Sequence, residues 1–155
     1  MKILTTIAAL LAVVSAWHST GHFLTALIAQ IELQRDSPHL YNRLENIIGV
    51  LSSFTSEQSH KFVESAEFAD DIKNQNWKAF NSWHYNDNYY FYGVEPKDMP
   101  LDTQNVVWAI NQALANLNTN KPGKINEVLG KSFSIRYLLH LVGDLHQPLH
   151  NASMV

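Results

Sequence analysis

Apolar residues recur every three to four positions over most of the chain, which is the spacing of amphipathic helices. The pattern predicts five helices, over about residues 22–33, 37–51, 56 or 59 to 73, 102–118 and 125–145. Pro38 after Ser37 is typical of a helix start, and Asp102-Thr103 is the predicted cap of the fourth helix. No two-residue alternation indicates a sheet, although residues 89–94 could pair briefly. The sequence therefore predicts an all-α protein.

One stretch departs from the helical pattern and is rich in aromatic side chains. Residues 81–100 contain six of them, namely Trp83, Tyr85, Tyr89, Tyr90, Phe91 and Tyr92. No repeat or low-complexity segment accompanies it, so we predict a long structured loop.

The first sixteen residues have the organisation of a secretory signal peptide. Lys2 precedes an apolar run over residues 3–14, and compact residues occupy 14–16, where signal peptidase cleaves. The run is too short to span a membrane. Cleavage after Ala16 would make Trp17 the mature N-terminus. We therefore predict a signal peptide over 1–16, a single domain over 17–155, and secretion or delivery to a lysosome- or vacuole-like compartment.

Composition narrows the classes of function. The formal charge is −3, and −4 once Lys2 is removed, so extended electrostatic capture of nucleic acid is not expected. A nuclease whose bound metal ions supply local positive charge remains compatible. The chain has no cysteine, which removes disulfides and thiolate zinc sites, but it has eight histidines. Nothing indicates a protein partner, membrane docking or an oligomer, so we predict a monomer.

The densest group of candidate metal donors lies between His140 and His150. His140 and Asp144 are spaced i, i+4, so both project from one face of the last helix. Pro148 then interrupts the helix, and His150 can return toward the same place. Imidazole with carboxylate suits zinc. The alternative is a buried polar helix whose histidines bond to nearby carbonyl groups.

Further candidate donors lie at three other places along the chain. His22 follows the expected N-terminus, Asp70 and Asp71 are alternatives at the end of the third helix, and His84 lies in the aromatic stretch. A free amine at Trp17 and its own carbonyl oxygen can chelate a metal ion. The amine must lose its proton, which its pKa of about 7.7–8.0 allows.

These residues resemble the zinc-dependent class I single-strand nucleases of fungi, plants and protists, which are related to bacterial zinc phospholipase C. The matching segments are Trp17-x4-His22, Glu67-Phe-Ala-Asp70, Trp83-His84-Tyr85 and His140-x3-Asp144-x-His-Gln-Pro-Leu-His150. Their order and spacing cover nearly all of the chain after residue 16. The resemblance implies an all-α domain with three zinc ions in one cleft.

The resemblance also implies a ligand for each zinc ion. Asp70, His84, His140 and Asp144 would hold the first, and Trp17, His22 and the bridging Asp144 the second. His150 would be the first ligand of the third. The other two ligands of that ion lie further along in the family, so we expect residues 17–155 to be the N-terminal part of a longer domain.

The implied reaction is hydrolysis of single-stranded DNA and RNA to 5′-phosphorylated products, with 3′-nucleotidase activity as a possible companion. Asp70 and Asp144 would act at the metals, and Lys73 matches an arginine that contacts the phosphate. Tyr85 would stack on a base and Asp87 would bind its edge. Either of these two could equally be an ordinary loop residue.

Two remaining residues carry smaller predictions. His146 is expected behind the ligands or in a structural role, and Asn151 begins a glycosylation sequon whose occupancy is doubtful beside a ligand. The alternatives to a nuclease are a zinc phospholipase C on the same scaffold and an inactive, zinc-binding secreted helical protein.

Overall fold

The computed structural model describes residues 19–52, 61–93, 101–119 and 125–154, and within them the protein is all-α, as predicted. The α-helices are α1 (Ser19–Asp36), α2 (Pro38–Ser52), α3 (Phe68–Asn74), α4 (Val106–Leu117) and α5 (Ile125–His146). The same described residues contain three 3-10 helices, which span Glu64–Glu67, Lys78–His84 and Pro148–His150. No helix within these residues is both long and apolar enough to span a membrane.

In the part of the chain that the structure describes, one short strand pair accompanies the helices. Strand β1 (Tyr89–Tyr90) lies parallel to β2 (Ser153–Met154), and Tyr89 pairs with Ser153. This confirms brief pairing in the aromatic stretch. It also joins that stretch to the residues that follow α5.

The predicted start of the third helix is wrong within the described residues. Phe62 and Val63 lie in a turn, and a 3-10 segment precedes α3. Residues 56 and 59 lie outside the described residues. The predicted cap of the fourth helix is also wrong: Asp102 accepts from the Gln104 N–H in a local turn, and Asn105 caps α4 by accepting from Trp108 N–H at 3.0 Å.

Helix α5 is the centre of the molecule and contacts every other described helix. One core cluster joins it to α3 and α4, through Phe68, Ala69, Ile72, Val106, Ala109, Tyr137 and Leu141. A second cluster contains Ile48, Phe62 and Ile135, with Ala29 and Leu33 of α1 packed against it. Both clusters pack against α5, and His140 and Asp144, which lie one turn apart on this helix, are buried in the interior.

The buried face of α1 differs from the apolar stripe that the sequence indicates. His22 and Ala26 are buried, whereas Leu27 and Ile31 are 40% and 53% exposed. The helix therefore presents a histidine to α5 in place of its largest aliphatic residues.

A buried arginine ties α2 to α5. Arg136 is fully buried, donates to the carbonyl of Ile48 at 3.0 Å and lies over the ring of Phe68. The hydroxyl of Ser132, one turn earlier, donates to the same carbonyl at 3.0 Å. These bonds fix the rotation of α5 and so the direction in which its next turn, at His140, projects.

Candidate metal centre

The candidate metal centre is built around Asp144, whose carboxylate is completely buried. Its Oδ2 lies 3.0 Å from His84 Nδ1 and 3.1 Å from His140 Nε2. Its Oδ1 lies 3.4 Å from His22 Nε2 and 3.2 Å from His150 Nδ1. Each oxygen of one carboxylate therefore faces a different pair of histidines, which is the arrangement of a bridging ligand.

Four donor atoms converge on the Oδ2 side. His84 Nδ1 and His140 Nε2 are 3.0 Å apart, and Asp70 Oδ1 lies 3.9 and 4.0 Å from them. A tetrahedral zinc ion with bonds near 2.0–2.1 Å separates its ligand atoms by about 3.3–3.4 Å. The observed distances span that value. Asp70, His84 and His140 thus form a group with metal-binding spacing, and Asp144 Oδ2 contacts both histidines, so these donors fit zinc in chemistry and spacing.

The orientation of His140 is fixed from behind. Its Nδ1 donates to the carbonyl of Ala66 at 2.6 Å, which directs Nε2 toward Asp144 and His84. A backbone carbonyl on the rear nitrogen is the usual support of a metal-binding imidazole, because it sets the tautomer and the ring plane. The 3-10 turn before α3 therefore supplies this support as well as leading to Asp70.

His22 reaches the centre from α1, and a glycine permits the approach. A Cβ at Gly143 would lie 2.9 Å from His22 Nδ1 and 3.3 Å from Thr25 Oγ1. The His22 ring stacks on His140 with centroids 3.8 Å apart. His22, His140 and Asp144 form a second group of donors with metal-binding spacing.

Burial and charge set the protonation of the centre. Burial, with the neighbouring His140, lowers the pKa of His22 to about 4, and burial also lowers the pKa of His84. Burial opposes the charge on Asp144, but hydrogen bonds from His140 and His84 outweigh it and hold its pKa below the usual range. Those contacts in turn raise the pKa of His140 against its own burial. Near neutral pH, His22 and His84 are thus uncharged, as metal ligands must be.

His150 is buried beside the centre, but its Nδ1 is already engaged. That atom donates to the His84 carbonyl at 2.8 Å, so Nε2 is the nitrogen left for a metal ion. Neither group of donors with metal-binding spacing within the described residues includes His150. Trp17 lies outside the described residues, two positions before α1 begins.

The residues expected to contact the substrate lie along one edge of the centre. Lys73 Nζ lies 2.7 Å from Asp70 Oδ1, so its charge partly compensates that of a candidate ligand. Tyr85 stacks on His150 with ring centroids 4.7 Å apart and is 38% exposed. Asp87 accepts from the Ser153 hydroxyl at 2.9 Å. Tyr85 and Asp87 line a cavity of about 370 Å³ with amide and acidic side chains, among them Asn81, Asn86, Asn88, Asp102 and Asn105.

The structure places the His146 side chain away from the candidate ligands. It is exposed, and its Nδ1 donates to the carbonyl of Val142 in the preceding turn at 2.7 Å. Its position six residues after His140 already places it on another face of the helix.

Sequence reasoning did not identify two residues that shape the centre, and it gave Glu67 only as the first residue of a matching segment. Gly143 sets the approach of α1, the Ala66 carbonyl orients His140, and Glu67 accepts from Ser19 Oγ at 2.8 Å at the start of α1. Gly143 had a signal, since an isolated glycine inside a helix often marks close packing, whereas the role of the Ala66 carbonyl had none. The contacts of Ala66 and Glu67 depend on the 3-10 segment before α3, which hydrophobic periodicity does not predict.

Comparison with known proteins identifies a family. The family model described as S1/P1 Nuclease matches residues 17–155, the whole chain after the first sixteen positions. No curated protein and no solved structure gave a significant match.

Proposed function

Since the chain belongs to the S1/P1 nuclease family, a family of zinc-dependent nucleases, we propose that it is a secreted enzyme that hydrolyses single-stranded DNA and RNA to 5′-phosphorylated products. Removal of 3′-phosphates from nucleotides is a companion activity of the same centre. Residues 1–16 would direct secretion and residues 17–155 would carry the nuclease fold. The observation that carries the proposal is the Asp144 carboxylate, with one oxygen facing each of two donor groups.

In this proposal the chain holds zinc through two connected sets of ligands. Asp70, His84, His140 and Asp144 form the first, and His22 joins Asp144 and the Trp17 amine and carbonyl in the second. His150 contributes Nε2 to a third ion. When bound, zinc supplies an activated water and compensates the charge that develops on the phosphate.

The chain's own residues orient the substrate. Lys73 Nζ, beside Asp70, would contact a phosphate oxygen as a point charge, with less directional control than an arginine provides. The outer face of Tyr85 would stack on an unpaired base, since His150 covers the other face. Asp87, held by Ser153, would accept a hydrogen bond from the base edge. Stacking on a single aromatic ring requires an unpaired base, which favours single strands.

The test measures zinc per chain by elemental mass spectrometry, together with hydrolysis, on the signal-cleaved protein. We expect bound zinc, cleavage of single-stranded DNA and RNA well above that of duplex, and 5′-phosphate ends. His140→Gln should lose zinc and at least about 100-fold of the rate, whereas His146→Gln in the same helix should retain both. Adding one residue before Trp17 should remove the zinc ion that its amine holds.

Three other outcomes would contradict the proposal. Turnover of phosphatidylcholine vesicles without cleavage of nucleic acid would indicate a phospholipase C. Bound zinc without either activity would indicate an inactive binding protein. A folded protein without zinc would exclude the ligand scheme itself.

A further inference from the structure

The end of α5 is closed by the side chain of Asn151. Its Nδ2 donates to the carbonyls of Leu145 at 2.7 Å and Gln147 at 3.0 Å, and the carbonyl of Asp144 lies at 3.5 Å. The last carbonyls of a helix have no partner within the helix, so a side-chain donor at this place satisfies them. One amide group therefore binds the turn of α5 that carries Asp144.

The backbone of Asn151 belongs to the turn that carries His150. Its N–H donates to the Pro148 carbonyl at 3.0 Å, and its carbonyl accepts from Asn88 Nδ2 at 3.0 Å. Through its side chain and backbone, Asn151 connects the end of α5 to the Pro148–His150 turn and to Asn88 in the aromatic stretch. The distance between Asp144 and His150 thus depends on it.

We propose that Asn151 is a positioning residue that holds His150 against the metal centre, and that the folded protein carries no glycan on it. The first part rests on the proposed function only in treating His150 as a metal ligand. The second part, the absence of a glycan, concerns Asn151 Nδ2. It does not depend on whether the chain is a nuclease.

The chemistry of the amide makes the two roles exclusive. N-glycosylation replaces one of the two Nδ2 hydrogens with a bond to the C1 carbon of a sugar. Only one hydrogen on Nδ2 would remain for the two bonds to the carbonyls of Leu145 and Gln147. The sugar would have to lie where one of these two carbonyl groups now lies. The hydroxyl of Ser153, the third sequon position, is also engaged, with Asp87. A chain that is glycosylated before it folds cannot close α5 in this way.

The positioning role is tested by chemical modification of histidines in the metal-free full chain. Diethyl pyrocarbonate reacts with accessible imidazoles, and peptide mass spectrometry measures each site. We expect Asn151→Ala to accelerate modification of His150 on the order of tenfold, as loss of two hydrogen bonds allows. Asn151→Asp should do so more, because a carboxylate would face carbonyl oxygens at a helix C-terminus. Rates at His84 and His140 should change little.

Ser153→Ala is the matched control, since it removes the sequon and leaves Asn151 in place. It should leave the rate at His150 near that of the unaltered chain. Equal acceleration at all three histidines would indicate general destabilisation and overturn the positioning role. No acceleration in either Asn151 variant would overturn it as well.

The glycan is tested by intact mass after secretion from a eukaryotic host. Glu32→Asn combined with Gln34→Thr creates a sequon on the exposed side of α1 and reports whether the chain meets the glycosylation machinery. We expect that variant to carry one glycan and Asn151 to be unmodified in the soluble fraction. A glycan on Asn151 in protein whose His150 stays protected would overturn the proposal. Zinc content is measured separately, so failure of the proposed function is recognised independently.

Discussion

A carboxylate buried among four histidines is stable only if positive charge or a metal ion compensates it. Asp144 is in this situation, with His22, His84, His140 and His150 all within 3.4 Å. Contacts with His140 and His84 lower the pKa of Asp144, and contact with Asp144 raises the pKa of His140, so a proton on imidazole would compensate the carboxylate without metal. Zinc would replace that proton, so metal affinity should fall as the pH falls.

Two adjacent acids provide a test at the level of single residues. Asp70 Oδ1 lies in the donor set, whereas Asp71 belongs to neither group with metal-binding spacing. We expect Asp70→Asn to lower zinc content and to reduce nuclease activity by at least about 100-fold. Asp71→Asn should keep the zinc content and stay within a few-fold of full activity. The reverse result would assign the ligand to Asp71.

The protonation of His22 predicts a pH dependence of stability in the metal-free protein. Its pKa is about 4 in the folded state and near 6.5 in the unfolded chain. Between pH 4 and pH 6.5 the unfolded chain binds more protons than the folded protein. The contribution of His22 to the free energy of unfolding is therefore fully present above pH 6.5 and is lost as the pH falls to 4. As the pH falls from 6.5 to 4, we expect the free energy of unfolding of the unaltered protein to decrease by roughly 3 kcal/mol more than that of His22→Gln.

Denaturant unfolding at several pH values measures that difference. The His140 contribution has the opposite sign, because its pKa is raised, and both proteins retain that residue. An NMR titration that placed the folded-state pKa of His22 near 6.5 would contradict the prediction.

At the scale of elements, the close approach of α1 to α5 determines whether His22 joins the centre. Gly143→Ala would place a methyl group 2.9 Å from His22 Nδ1. We expect the two helices to separate, at a cost of about 1–3 kcal/mol in stability and with weaker zinc binding. Thermal unfolding and zinc titration measure the two effects.

The matched substitution is Gly49→Ala in α2, where no atom lies within 4 Å of the added carbon. Alanine is a better helix former than glycine, so this variant should be as stable as the original or up to about 1 kcal/mol more stable. If both variants behaved alike, the tight contact between α1 and α5 would not be needed for the centre.

The candidate ligands come from elements that are far apart along the whole chain. Those in the described residues lie on α1, α3, the Lys78–His84 segment and α5. Metal ions bound to these two groups of donors would stabilise the folded state by mass action, because the unfolded chain has no such sites. Zinc is therefore expected to be a structural link as well as a catalytic group.

Zinc at about 100 times its dissociation constant should raise the free energy of unfolding by about 2.7 kcal/mol. Differential scanning calorimetry of metal-free protein with added zinc measures this as a higher melting temperature. Magnesium is the control, because it prefers oxygen ligands and should have little effect. An unchanged melting temperature with zinc would contradict binding at the centre.

Local patterns in the sequence were sufficient for the helical class, for α2 with Pro38 at its first position, and for the extent of α5. The spacing of His140 and Asp144 was also sufficient, since four residues make one helical turn whatever surrounds it. The family resemblance, which the family match confirms, singled out His22, Asp70 and His84 as ligands, and their roles remain predictions.

Tertiary structure alone decided how these groups meet. Which oxygen of Asp144 faces which histidine depends on the rotation of α5, which Arg136 and the two core clusters set. The support of His140 by a carbonyl of Ala66, and the closure of α5 by Asn151, join residues that no periodic pattern relates. Helix periodicity is a property of neighbouring residues, whereas a metal centre is a set of distances between segments remote in sequence.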